Sequence, residues 1–512
     1  MIYLVEIDAH TGAALLTYRF ATEAYITSPS DSPANTIYEP RIEDAGMFST
    51  DLFRAGQTGG GVDVGNGEIV LVNSDGGLDA WFDYGLDGRR VEIKQLANAA
   101  SPFSSAVTVF KGIIEAINTG DAWNKLRVSI MDSRFSLDKP LQVNRYAGTT
   151  LGAGNTADGN EDLRDQPKPL AYGKVFGIRP YAANPFEGVF QVADNPVNDI
   201  DVYDGGSPLT NAGNYSSLSA LIAATVLPGR YATCLNLGLF RITRSAFQVT
   251  ADVQEGVLAN EKNAAAIVRK MLQRAGLTTA DYSEASLSAL SSLNLAECGI
   301  WIDSDLSILD AVQQVLNSVG AWIAPNANGV LEVGRFEAPG TSSTTITMDD
   351  IIRPDNMSFE VTNDPGRGVP VKRVTVRYKR NYTPLSGSEV ARCTQQNEDY
   401  KAYLASEWRE RVSPADPSVE AKYKNAGELT VETCFTQSND AFAEAIRLFS
   451  LYKVRRDRVK VVLWAERAAS IKLNDTVTVQ VPRFGYGAGR PMRVIGRDEN
   501  RAENIVTLDL FG

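Results

Sequence analysis

The 512-residue chain has one histidine, His10. That removes most zinc sites, facial triads and Ser-His-Asp arrangements. It has four cysteines, Cys234, Cys298, Cys393 and Cys434, with no Cys-x-x-Cys pair. They read as scattered buried thiols and not as a disulfide framework. Basic residues are in deficit: 50 Lys and Arg against 62 Asp and Glu give a net charge of −12. A chain without a basic footprint is a poor candidate for a nucleic-acid backbone binder. Long apolar runs are missing too. The stretch Leu218 to Leu227 is about half of a bilayer span. Met1 leads straight into Ile2-Tyr3-Leu4-Val5 with no basic region before it, so no secretory signal is expected, and a soluble chain made in a cytoplasm is. Walker, GxSxG and HExxH motifs do not occur.

What remains is an ordinary globular composition, 44% apolar and 22% charged, which excludes a disordered or fibrous chain. The length suggests three to four domains of ~150 residues. Glycine outnumbers proline 42 to 22, and 19 Tyr with 19 Phe lean toward strands and turns.

To about residue 140 the pattern is β. Tyr3, Val5 and Ile7 alternate, a turn follows at His10-Thr11-Gly12, and Ala13 to Phe20 reads as a second strand. Further short strands, Glu68–Val72, Val91–Lys94, Val107–Phe110 and Leu126–Ile130, are punctuated by Asn73-Ser74-Asp75-Gly76-Gly77 and Leu86-Asp87-Gly88. Such spacing suggests a small barrel or sandwich. Gly148 to Pro169 is loop-like, and a second β segment runs to about Thr250. The period then changes. Ala264, Ile267, Val268, Met271, Leu272 and Ala275 follow helical spacing and stop at Gly276. A second helix is expected from Leu306 to Val319, with cap candidates in Asp303-Ser304-Asp305 and a stop at Gly320. A hairpin follows, turning at Asn326 to Gly329. From about 346 the chain returns to β. It has a polar loop or insertion at 384–424 that includes Pro414 and Pro417, a helix near Asp440–Lys453 and closing strands at Lys460–Trp464, Thr476–Val481, Pro491–Ile495 and Ile505–Leu510.

The closing strands of the first and last segments share an order. Val91-Glu92-Ile93, Phe110 to Ile114 and Leu126 to Ile130 match Val477-Thr478-Val479, Met492 to Ile495 and Ile505 to Leu508, each with a turn before the last strand. This is either what any two β-meanders share or a duplicated small barrel.

Catalytic and binding signals are weak. Gly59-Gly60-Gly61 after Gln57-Thr58 is not placed between a strand and a helix, as a nucleotide loop would be. Asp199 to Gly205 puts its third acid and its glycine one position late for a calcium loop, so a strand running into a turn is expected. His10 reads as a surface residue at a hairpin tip. Trp81, Trp301, Trp322, Trp408 and Trp464 could stack on sugars, but each lies in or beside an apolar run and reads as core. Lys453, Arg455, Arg456, Arg458 and Lys460 suit a helix C-terminus, or else a contact with an acidic partner or neighbouring subunit. No catalytic, cofactor-binding or metal residue is assigned, and no enzyme activity is expected.

Four stretches carry a resemblance. They are Gly67 to Asp79 continuing to Gly88-Arg89-Arg90-Val91; Lys168 to Phe176 continuing to Phe190-Gln191-Val192 and Tyr203 to Gly206; Gly299-Ile300-Trp301-Ile302 with Gly320-Ala321-Trp322-Ile323; and Leu473 to Val479 continuing to Met492–Ile495 and Val506-Thr507-Leu508. Together they resemble the baseplate hub or tail-tip proteins of long-tailed, siphophage-type bacteriophages and related prophage or gene-transfer particles. Where that pattern has Gly-Asp before the valine this chain has Asn474, a residue that tolerates the same left-handed turn.

The resemblance implies a mainly β protein with an α+β module. Two small β-barrel-like, tail-tube-like domains are expected at 1–145 and 346–512, with a middle β domain at 146–255 and an α+β domain at 256–345. It implies a homotrimer whose two barrels per chain make a pseudo-sixfold ring closing the distal end of the tail tube, with a channel for DNA ejection and an acidic, non-sticky lumen. The implied neighbours are the distal tail protein ring, the tape-measure protein and tail fibres or a central spike. Contact with the host envelope through the tail tip is possible, and sequence-specific nucleic-acid binding is not implied. The rival readings are a carbohydrate-active or receptor-binding tail protein, and the distal tail ring protein itself.

Overall fold

The computed structural model describes residues 1–54, 58–62, 64–120, 123–352, 357–360, 370–394 and 397–512, with Phe359 and Glu360 as backbone only. Gln57 and residues 395–396 of the 384–424 segment lie outside the described set.

The first 131 residues form seven principal strands: β1 Ile2–His10, β2 Leu15–Ala21, β3 Ile42–Asp51, β4 Asn66–Val72, β5 Arg90–Leu96, β6 Val107–Asn118 and β7 Lys125–Met131. Alternation sends one face inward. Val5, Ile7, Ile69, Leu71, Val91, Ile93, Val128 and Ile130 are buried around Trp81 and Phe110. The expected strands all occur.

The middle of the chain contributes β8 Leu170–Ile178, β9 Asp199–Asp204 and β10 Val249–Gln254, then the helices α1 Ala264–Arg274 and α2 Glu284–Leu293. Strand β11 Gly299–Ile302, helix α3 Ile308–Ser318 and the hairpin β12 Ala321–Pro325 and β13 Leu331–Arg335 follow. Strands β9, β10, β8 and β11 lie side by side in one sheet. Asn263 caps α1 by accepting from Ala266 N at 2.9 Å. The cap of α3 is Ser307, which accepts from Asp310 N at 3.1 Å. The cap therefore lies beyond the expected Asp303-Ser304-Asp305, because the backbone is still extended at Ser307 and the helix begins at Ile308. Gly276 and Gly320 follow their helices at φ +84° and +64°.

The last part supplies β14 Thr344–Thr347, β15 Ser358–Glu360, β16 Val371–Tyr378, β17 Arg409–Val412 and β18 Gly427–Glu432. After these come α4 Ser438–Tyr452, β19 Arg458–Trp464, β20 Thr476–Gln480, β21 Arg490–Asn500 and β22 Ile505–Phe511. The polar 384–424 segment is not only loop: besides β17 it holds helices at Glu398–Ala405 and Pro417–Lys422. Pro417, read as a loop signal, instead occupies the first turn of its helix behind the Asp416 cap, where a missing N–H costs nothing.

The protein is mainly β with an α+β portion, as expected, but the barrel-like units do not close. They share one 13-stranded sheet in the order β2-β1-β5-β6-β7-β4-β3-β21-β22-β19-β15, with β14 and β20 branching beside β21. Each unit keeps its own core: the second packs Val459, Val461, Leu463, Val477, Val479, Val494, Leu508 and Leu510. A third core draws Phe53, Leu137, Tyr172, Val312, Val376, Phe449 and Phe511 together, so helices α1, α3 and α4 pack against residues of both units.

Candidate functional site

The repeat seen in the sequence is a repeat in topology. The first unit takes its strands in the spatial order β1-β5-β6-β7-β4-β3, and the second in the order β14-β20-β21-β22-β19-β15. With β2 left out, since it flanks β1 and has no counterpart in the second unit, and the other strands numbered by position in the chain, both orders are the same. Only the opening strand differs, since β1 runs antiparallel to β5 while β14 runs parallel to β20.

Registers match as well. On β6 and β7 the pairs Ile113–Met131 and Ile114–Ile130 precede a bulge, after which Ala116 faces Ser129. On β21 and β22 the pairs Arg493–Phe511 and Val494–Leu510 precede a bulge, after which Gly496 faces Asp509. The turn leading into the strand that neighbours each bulged strand, β5 beside β6 and β20 beside β21, is held identically. Ile114 N donates to Arg89 O at 2.9 Å and Gly88 N to Ile114 O at 2.8 Å; Val494 N donates to Asp475 O at 2.9 Å and Asn474 N to Val494 O at 2.8 Å. Gly88 has φ +68° and Asn474 φ +67°, so the asparagine adopts the left-handed conformation expected of it. Shared bulges at shared positions go beyond what two arbitrary meanders have in common.

The two units meet edge to edge. Met47 to Asp51 of β3 pair with Asn500 to Gly496 of β21. β3 reaches this edge through a bulge at Gly46, φ +97°, where an added Cβ would lie 2.2 Å from Glu68 O. The tip of the β21–β22 hairpin then rests on the first unit, with Arg501 N donating to Gly46 O at 3.2 Å.

Charge is concentrated at this seam. Arg458 and Asp509 form a buried bidentate pair, with Arg458 Nε 2.8 and 2.9 Å from the two carboxylate oxygens. Glu499 is partly buried, and desolvation alone would raise its pKa, but Arg501 at 3.0 Å and Arg497 at 2.8 Å outweigh that and hold it below the usual carboxylate range. Asp51 has the opposite balance. Burial, then Asp498 and Asp509, push its carboxyl up to about 6 against the pull of Arg458 and Arg134.

The folded protein therefore holds the Asp51 proton more tightly than the unfolded chain, whose carboxyl titrates near 3.8. This contribution to stability is complete below about pH 4, declines as pH rises and is gone above about 6. Asp51→Asn cannot ionise. It is expected to exceed the parent by about 1–2 kcal/mol at pH 8 and to lose that advantage at pH 4, as read by urea unfolding. An unchanged difference at the two pH values would refute the assignment.

Each unit has a second such edge. Among the described residues no strand lies along the outer side of Ala116 to Asn118 on β6, or along the outer side of β15. Beside the β6 edge, in the β6–β7 turn, Trp123 is 93% exposed. The sequence reading missed Trp123 because it sits among polar turn residues and outside any apolar run.

The residues singled out from the sequence do not converge. His10 closes β1, and its Nδ1 accepts from Gly12 N at 3.0 Å. Asp199 to Asp204 is the strand β9, and Asp204 ends it by accepting from Ala246 and Phe247 N at 2.8 and 2.7 Å. Gly59 and Gly60 border a 580 Å³ groove with Phe336 and Tyr452. Trp81 and Trp301 are buried as expected, whereas Trp464 is half exposed because it ends β19 and points outward. The basic run divides: Arg458 is a buried strand residue in the seam, while Lys453 pairs with Asp416 at 3.6 Å beside the end of α4. Cys234 and Cys298 are buried, but Cys393 is exposed, against expectation, because it lies on the surface of the 384–424 segment. Among the described residues no cluster of His, Cys, Asp or Glu could hold a metal.

No family model matches the chain, and no curated protein does. Among solved structures it is similar to the tail protein from Neisseria meningitidis MC58, at 12% identity and a TM-score of 0.40 over 100% of this chain and 96% of that one. It is also similar to the prophage tail protein gp18 from Listeria monocytogenes EGD-e, at 8% identity and 0.43 over 100% and 94%. A chain of the virion of a native gene transfer agent particle is similar over 74% of this chain and 92% of its own, at 12% identity and 0.42.

Proposed function

We propose that this chain is a structural component of a phage-type tail, the hub that closes the distal end of the tail tube, working as a trimer without catalysing a reaction. The observation that carries the reading is the duplicated six-strand unit, joined edge to edge within one chain, with the corresponding edges of β6 and β15 carrying no strand among the described residues. A sheet edge is a template for another strand. A unit that pairs head to tail with its own duplicate has a heterologous interface, and such interfaces close into rings when the rotation per step allows it. Three chains would supply six units, the number needed to seat on a sixfold tube. The sequence resemblance supplies the biological setting: a distal tail ring above, fibres or a spike below, and passage of DNA through the centre.

The purified chain is expected to reach the mass of three copies in light scattering, alone or on addition of the adjoining tail ring, and a map of the tail end should place it there. A chain that stays monomeric and releases fragments from host polysaccharide would replace this reading with the carbohydrate-active one.

A further inference from the structure

Resting on that reading and adding the contact that builds the ring, we infer that the outer edge of β6 receives β15 from a second copy of this chain, in the register that β3 holds on β21. The argument is a translation through the repeat. In β4 and β3, Glu68 faces Met47 and Gly67 faces Phe48. In β19 and β15, Lys460 faces Ser358 and Val459 faces Phe359. Strand β15 therefore stands in the second unit where β3 stands in the first, and Phe359 takes the register place of Phe48. Likewise β6 stands where β21 stands, with Asn118 in the place of Asp498. Within the chain Ser49 faces Asp498. Between chains the same step places Glu360 of one copy opposite Asn118 of the next.

Three further observations favour a second copy as the occupant. The edge continues an interface the chain already makes, with the same bulge beside it. The hairpin tip of the second unit is covered by the first unit, while the equivalent tip of the first unit carries the 93% exposed Trp123. Strand β15 lies at the far end of the sheet from β1 and β2 and so is presented outward. With a net charge of −12 per chain, long-range forces oppose association. The seam must be held by backbone pairing and apolar cover, which suits an edge ending at an indole.

The test is a full-length Asn118→Cys/Glu360→Cys protein in a Cys393→Ser background, oxidised and run on a non-reducing gel. Cross-linked species up to three chains are expected, while either single variant alone should give none and a mixture of the two singles should give dimers. Trp123→Asp should weaken self-association at least tenfold, and the emission of the parent should shift to shorter wavelength on assembly. A three-copy particle without the cross-link discards this seam and keeps the hub; a cross-linked chain that fails to join a tail keeps the seam and discards the hub. A monomer at every concentration overturns both.

Discussion

Replacing Arg134 with methionine is expected to lower the unfolding free energy by about 3–5 kcal/mol, a large part of the 5–15 kcal/mol typical of a folded domain. Arg134 and Asp132 are 0% and 1% exposed in their side chains. The guanidinium reaches the carboxylate through Nη2 at 2.7 Å and Nε at 3.0 Å, and donates from Nη1 to Asp51 O at 3.1 Å, at the edge of the seam. Asp132 also accepts from Gly65 N and from Arg134 N, each at 2.8 Å. Methionine fills similar space but leaves the carboxylate with backbone donors only, and an unpaired buried charge is far costlier than a pair replaced as a whole. The double variant Asp132→Asn/Arg134→Met should therefore lose less than Arg134→Met alone. Urea unfolding of the three proteins decides the matter: a loss under about 1 kcal/mol for the single variant would show that the pair does not hold this corner.

Gly46→Ala is the second large effect, expected at about 3 kcal/mol. Two costs add. The left-handed backbone at φ +97° disfavours any side chain, and the new Cβ would meet Glu68 O, a strand backbone atom that cannot turn aside. Gly12→Ala isolates the first cost, since Gly12 has φ +92° but nothing within 4 Å of its Cβ position, and should lose about 1 kcal/mol. Equal losses at the two glycines would show that the close approach at the bulge does not matter. Because Gly46 also receives Arg501 N, the alanine variant should loosen the union of the two units and raise hydrogen exchange along β21 first.

Much of this architecture could be read in the sequence, for identifiable reasons. Helices α1 and α3 announce themselves through apolar residues three and four apart and glycines just past their ends. The repeat was visible because alternating β-branched residues keep their spacing in both units. Helix α2 was missed because its interior is serine-rich and its buried face is reduced to Leu287 and Leu290, too narrow a stripe to register as a period. The seam was invisible for a different reason. It joins residues near 50 to residues near 498 through backbone hydrogen bonds, and backbone pairing between remote strands leaves no local pattern. Nor did composition reveal the buried pairs at 132–134 and 458–509, since a charged residue in a strand reads as outward-facing until its partner is seen.

The link between the second and third strands of the unit spans 52–65 in the first copy and 361–457 in the second, yet the registers on either side are preserved. The tile thus separates a part that must keep its geometry from a site that accepts whole folded bodies. New appendages could be acquired there by a single genetic exchange, leaving the joint between the two units as it was.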